Sequence, residues 1–269
     1  MNGKKDIRLI ALDLDGTLLN SDKLITPRTV AALQAAMQKG VHVTIATGRM
    51  LLGAAQFAQQ VGMHAPLICC NGGVVQGVDD DEPLFVRHLP SETVRGILSI
   101  CHEHGWYANW YIGRDVYVEH FDKDYFYAYR TIKDFRLKEV GDRFLDDTDD
   151  VIQCVVRDLD GHVAEKVAAL QDALPGQFQA QQNTGTSADL TPNGVTKALG
   201  LAFLMHHYGL APENVMACGD GDNDLPMLKF AGTAVVPANG LPCAKALATY
   251  HAESNDEDGI AKAVEELVL

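Results

Sequence analysis

Residues 7–12 read Ile-Arg-Leu-Ile-Ala-Leu, a short and almost wholly apolar run that stops at a carboxylate, Asp13. A run of that length without alternation suits a strand buried on both faces, which is the habit of parallel sheets covered by helices. The pattern recurs. Residues 41–46, apolar but for His42 and Thr44, end at Thr47-Gly48-Arg49, residues 67–70 end at Asn71-Gly72-Gly73, and residues 215–218 end at Gly219-Asp220. Helical segments separate these runs. Thr26 offers an N-cap and Pro27 a first-turn residue, with Val30, Leu33 and Met37 marking a buried face and Gly40 the end. Residues 51–61 form a second helix. The fold class that follows is α/β, with a Rossmann-like parallel sheet whose ligands bind beyond the carboxyl ends of the strands.

This rhythm breaks after Gly77. Residues 79–82 are consecutive acids and read as a solvated turn. Beyond them the pattern predicts a helix at 91–104, strands at 107–112, 116–119 and 151–157, and a helix at 165–174. The aromatic stretch 121–129 reads as part of the core there. Mixed elements without strand–helix alternation suggest an inserted α+β domain. The alternation resumes near Val195, with a helix ending near Gly209, a short helix, the run 234–236 and a last helix over 258–267. We therefore expect a core of residues 1–82 and 191–269 around an inserted cap domain of residues 83–190.

Composition narrows the partners. The chain carries 22 Lys and Arg against 36 Asp and Glu, a formal net charge of −14. That surface repels nucleic acid and anionic lipid, so neither is expected as a partner. Residues 1–8 lack the apolar stretch of a signal peptide, and no later run suits a membrane span. The expected place is cytoplasmic, as a monomer or weak homo-oligomer. The six cysteines show no C-x-x-C pair and read as buried small hydrophobes, while the ten histidines are dispersed and read as surface or packing residues.

Two acidic clusters carry the chemistry. Asp13-Leu14-Asp15-Gly16-Thr17-Leu18 follows one apolar run, and Gly219-Asp220-Gly221-Asp222-Asn223-Asp224 follows another. In a parallel sheet both belong to the same rim. Like charges about 4 Å apart repel by ~4 kcal/mol at an effective dielectric near 20. Such a cluster stays ionised beside a cation, and hard oxygen donors suit Mg²⁺.

These segments, with Thr47-Gly48-Arg49 and Lys197 in Gly194-Val195-Thr196-Lys197, resemble the four motifs of the haloacid dehalogenase superfamily. Their order and the long insertion are similar to the Cof-type sugar-phosphatase branch, which has a C2-type cap. The segment Ser254-Asn255-Asp256-Glu257-Asp258-Gly259-Ile260-Ala261 is similar to that branch's C-terminal signature. The resemblance implies that Asp13 is a nucleophile forming an aspartyl-phosphate, and that Asp15 is a general acid and then base. It further implies Mg²⁺ held by the Asp13 side chain, the Asp15 main-chain oxygen and Asp220, with Asp224 in the outer shell. Phosphate oxygens would meet the Leu14 main chain, Thr47, Gly48, Lys197 and Asn223. Ala198, Asp189 and Gly73 depart from the branch's usual residues, and none of the three removes a catalytic group.

The expected activity is Mg²⁺-dependent hydrolysis of a small phosphorylated metabolite, a phosphomonoester such as a sugar phosphate. A phosphosugar mutase is an alternative within the same resemblance, distinguished by an isomeric product instead of free phosphate. A phospho-Asp signalling switch is an alternative of another class. It needs neither Asp15 as second-step acid/base nor a long insertion.

Overall fold

The computed structural model describes residues 6–126, 129, 132 and 134–269. The chain divides into two compact units, one holding the chain up to Phe85 with Thr196–Leu269, the other Val86–Val195.

The first unit is built on β1 (Leu9–Leu12), every residue of which is buried. Its neighbours are β2 (His42–Ile45) on one side and β12 (Val215–Cys218) on the other, both parallel to it. The sheet continues from β12 to β13 (Thr233–Pro237) and β14 (Tyr250–Ala252), giving the order β14-β13-β12-β1-β2. Leu12 pairs with both Ile45 and Cys218, so the residues that follow three strands arrive together at one edge. This is the parallel α/β core that the apolar runs predict.

Helices cover the sheet through small, local devices. Thr26 caps α1 (Pro27–Gln38), its hydroxyl accepting from the Thr29 N–H at 3.2 Å. The buried face of α1 is Thr29, Ala32, Leu33 and Ala36; the predicted Val30 and Met37 flank it, half-buried. Small residues there let the helix lie close to its neighbours. α2 (Leu51–Val61) ends at Gly62 in the left-handed conformation. α5 (Lys197–His207), α6 (Leu225–Phe230), α7 (Pro242–Lys245) and α8 (Gly259–Leu267) complete the unit.

The third run departs from expectation. β3 (Leu67–Cys69) lies parallel beside the end of β2, joined by a bridge between Ala46 and Ile68, but then turns back antiparallel into β4 (Val74–Gln76). β5 (Phe85–Val86) adds a third strand, and the acids 79–82 lie exposed in the intervening turn.

The second unit carries a six-stranded sheet of order β10-β11-β9-β6-β7-β8. Its strands are β6 (Tyr107–Ile112), β7 (Asp115–Val118), β8 (Arg136–Glu139), β9 (Val151–Arg157), β10 (Gln179–Thr184) and β11 (Ser187–Thr191). Trp110, Cys154, Val156, Ala188 and Leu190 share one core with Val94, Ile97 and Leu98 of α3 (Ser91–Glu103) and Val167 and Leu170 of α4 (Val163–Ala173). The alternate residues Asn109, Tyr111, Gln153 and Asp189 are polar, yet buried. β8, β10 and β11 escaped the sequence reading: β8 and β10 are polar edge strands, which bury no apolar face, and β11 is interior but only five residues long, with Ser187, Asp189 and Thr191 breaking any apolar run.

The aromatic stretch 121–129 does not join that core. Phe121 is exposed, while Phe126 and Tyr129 pack on each other and on Phe135; Tyr127 and Ala128 lie outside the described residues. Five cysteines are buried as expected, but Cys243 is exposed, where its thiol donates to Asp222 at 3.1 Å. No helix among the described residues is long and apolar enough to cross a membrane.

Trp110 is 1% exposed and its indole N–H donates to the Asp147 carbonyl at 3.1 Å. Trp110→Ala is expected to destabilise the inserted unit by about 3–5 kcal/mol, read as an earlier unfolding transition in urea.

Candidate active site

Asp13 directly follows β1, and its backbone N–H donates to the Cys218 carbonyl at 2.9 Å, tying the ends of β1 and β12 together. Asp220 and Asp224 come from the turn after β12. Lys197 is the first residue of α5, whose N-cap Thr196 accepts from the Leu199 N–H. The Lys197 ammonium donates to Asp13 Oδ1 at 2.5 Å and to Asp224 Oδ1 at 2.6 Å. The lysine has 0% exposure, Asp224 1% and Asp13 6%. One oxygen each of Asp13, Asp220 and Asp224 lies within 4.8 Å of the others.

Two of the three carboxylates thus share one ammonium, and the balance shows in the protonation of the cluster. Burial pushes the Asp13 carboxyl up to about 8, with Asp224 and Asp220 adding like charge against the pull of Lys197. Burial also raises Asp220, opposed by the hydroxyl of Thr17, which donates to Asp220 Oδ1 at 2.6 Å. Burial works against the Lys197 charge, but Asp13 and Asp224 outweigh it and keep the ammonium protonated. The second oxygen of Asp224 accepts the backbone N–H groups of Asp220 and Gly221, both at 2.9 Å. Both its oxygens are therefore engaged.

Two glycines make this closeness possible. Gly16 has φ +86°, and a Cβ there would stand 2.5 Å from Asp220 Oδ2. Gly72, with φ +98°, would bring a Cβ to 2.0 Å from the Thr196 carbonyl, so only glycine lets the turn after β3 abut the start of α5.

Asp15 is held elsewhere. Arg49 grips its carboxylate with Nε at 2.9 Å and Nη2 at 2.8 Å, and the Lys23 ammonium adds a contact at 3.0 Å. Burial would raise its affinity for a proton, but these two cations outweigh burial and hold the carboxyl below its ordinary range. Its side chain is not in the three-carboxylate cluster. Thr47 follows β2, and its N–H donates to the Ile68 carbonyl at 2.8 Å while its own carbonyl accepts from the Asn71 N–H at 3.0 Å. Asn223 donates to the Asn71 side chain at 3.3 Å, which links it through Asn71 to the Thr47 backbone. Gly48 follows Thr47, half-buried, and Leu14 is buried with its carbonyl accepting from the Leu19 N–H at 2.9 Å.

Several contributors had no assigned role in the sequence reading. Thr17 and Arg49 sit inside quoted motifs, and Asn71 ends an apolar run, so a signal existed for each. Lys23 carried none: it sits in a polar turn, and its contact with Asp15 is a tertiary event.

The donor set is all oxygen, and it is short of positive charge, so a hard divalent cation fits it. In buffer free of such cations the folded chain keeps a proton on Asp13 that the unfolded chain, with its value near 3.8, releases. This contribution to stability is full below that value and is lost as pH rises through about 8. Asp13→Asn is expected to flatten the fall in unfolding free energy over that window, measured by urea titration at a series of pH values.

Comparisons with known proteins identify the family. The family profile of the haloacid dehalogenase-like hydrolases matches residues 10–264. The 5-amino-6-(5-phospho-D-ribitylamino)uracil phosphatase YitU of Bacillus subtilis is 30% identical over 267 residues, covering 96% of each chain. A haloacid dehalogenase-like hydrolase from Bacteroides thetaiotaomicron superposes with a TM-score of 0.87 at 30% identity, over 97% of this chain and 99% of that one. A HAD subclass IIB sugar phosphatase superposes with a TM-score of 0.81 at 26% identity, over 96% and 98% of the two chains.

Proposed function

The chain belongs to the haloacid dehalogenase-like hydrolases, as a phosphatase of their Cof-type branch, and from that premise we propose that it hydrolyses small phosphomonoesters, sugar phosphates among them, through an aspartyl-phosphate on Asp13. The observation that carries this reading is the buried Lys197 ammonium shared by Asp13 and Asp224. A carboxylate so placed is oriented, yet still has a second oxygen.

In the proposed reaction Lys197 holds one oxygen of Asp13 while the other attacks phosphorus, and the bond from phosphorus to the leaving oxygen breaks. Asp15 gives its proton to that leaving oxygen. A water then attacks the phosphoryl group, Asp15 takes the water's proton, and Asp13 is released unchanged. For this Asp15 must carry a proton, which its contacts with Arg49 and Lys23 oppose. The pair therefore has to loosen when substrate binds. Phosphate oxygens are received by the Leu14 main chain, Thr47, Gly48, Lys197 and Asn223.

The side chains of Asp13 and Asp220 and the main-chain oxygen of Asp15 would hold Mg²⁺, with Asp224 outside them buttressing Lys197 and the turn. Bound Mg²⁺ supplies the positive charge that lets an anionic nucleophile meet an anionic phosphate. All these residues belong to the first unit. A sugar phosphate as substrate is supported by the likeness to a sugar phosphatase. The free cysteines support a reducing, cytoplasmic setting.

A panel of phosphorylated metabolites tests the proposal. The wild-type protein is expected to release phosphate with Mg²⁺ and to stop when the ion is chelated. Asp13→Asn is expected to abolish release, and turnover by a folded Asp13→Asn protein would overturn the assignment. With an aryl phosphate such as p-nitrophenyl phosphate, whose leaving oxygen needs no proton, Asp15→Asn isolates the second step. It should accumulate a phosphorylated peptide containing Asp13, read by mass spectrometry after acid quench, where wild type shows little.

A further inference from the structure

The loop that carries Asp15 is held by two asparagines acting as one hydrogen-bonded chain. The loop leaves β1 at Asp13 and closes in two wide turns, with the Leu18 N–H on the Asp13 carbonyl at 3.1 Å and the Leu19 N–H on the Leu14 carbonyl at 2.9 Å. The carbonyls of Gly16 and Leu19 are met by side chains from far along the chain. Asn239 Nδ2 donates to the Gly16 carbonyl at 2.7 Å, and Asn255 Nδ2 donates to the Leu19 carbonyl at 2.8 Å. The two are joined, since the Asn255 backbone N–H donates to Asn239 Oδ1 at 3.0 Å.

Both ends of this relay are tied to the site. The segment after Asn239 returns to the carboxylate cluster, where the Leu241 N–H donates to the Asp220 carbonyl at 2.8 Å. Beside Asn255, Asp256 accepts both the N–H and the hydroxyl of Ser21 at 2.7 Å, and Asp258 accepts the Thr26 hydroxyl at 2.5 Å. Asn239 is exposed and Asn255 half-buried. Neutral hydrogen bonds exchanged against water add little to global stability. What these bonds fix is the course of the loop between Asp13 and Thr17.

We propose that Asn239 and Asn255 are positioning residues: by holding the carbonyls of residues 16 and 19 they set Asp15 and Thr17 against Asp13 and Asp220. The segment from Asn255 to Asp258, with Asn255 lying 236 residues from Leu19, is on this view part of the catalytic apparatus. The effect on turnover rests on the proposed role of Asp15; the effect on the loop does not.

Asn239→Asp and Asn255→Asp keep size and the accepting oxygen but, ionised, have no N–H to donate. Asn239→Ala and Asn255→Ala remove the group without adding charge. Each is expected to lower kcat about 10- to 100-fold while KM stays close to wild type. Because the two hold one loop and are joined through the Asn255 backbone N–H, the double alanine variant should lose less than the product of the single losses. Hydrogen exchange followed by mass spectrometry should quicken in the peptide spanning residues 13–22 and stay unchanged in the strands. Wild-type kcat in all four variants, fully multiplicative losses in the double variant, or unchanged exchange in that peptide would overturn the proposal. A wild-type protein that released no phosphate would refute the phosphatase reading by itself, and the exchange measurement would still decide the relay.

Discussion

Lys197 is the contact on which the first unit's architecture converges. A fully buried ammonium is costly unless it is paired and oriented, and here two buried carboxylates do both. Asp13 and Asp224 reach it only because β1 and β12 are adjacent and in register. α5 begins at the right place only because Gly72 lets the turn after β3 touch the Thr196 carbonyl. Sheet order, turn conformation and helix start thus meet in one ion triad.

The two acids of the first motif, two positions apart, have opposite environments. Burial and neighbouring carboxylates raise Asp13, whereas Arg49 and Lys23 hold Asp15 down. That order is the reverse of what the proposed chemistry needs at the moment of reaction, when Asp13 must be ionised and Asp15 protonated. On the proposed mechanism a divalent cation would correct the first and loosening of the Arg49 grip would correct the second. The resting arrangement would then be one that substrate and ion together change, with electrostatic stabilisation complete only in the loaded site.

The inserted unit solves a different problem. Its sheet buries an ordinary apolar face against α3 and α4, but its alternate residues include Asn109, Gln153 and Asp189, all buried. Asn109 Nδ2 and Gln153 Oε1 have no hydrogen-bond partner among the described residues. Buried polar groups left unpaired are destabilising, so this face is not optimised for stability alone.

The amino-acid sequence by itself determined the parallel core, because β1 and β12 are buried on both faces and leave uninterrupted apolar runs, with β2 a shorter echo broken by His42 and Thr44. It also determined which residue types gather beyond them, since Asp13, Thr47 and Asp220 sit within two residues of those runs. It did not reveal β8 and β10, whose edge positions require no apolar pattern, nor the reversal of β3 into β4. Nor did it reveal the contacts of Lys23, Asn239 and Asn255. Lys23 stands in a polar turn with no pattern around it, and the hydrogen bonds of Asn239 and Asn255 to the loop span more than two hundred residues, which leaves no local period to read. Only the tertiary structure decided that Asp15 faces Arg49 while Asp13 faces Lys197, because a side chain's protonation follows the charges packed around it, and packing brings those from distant parts of the chain.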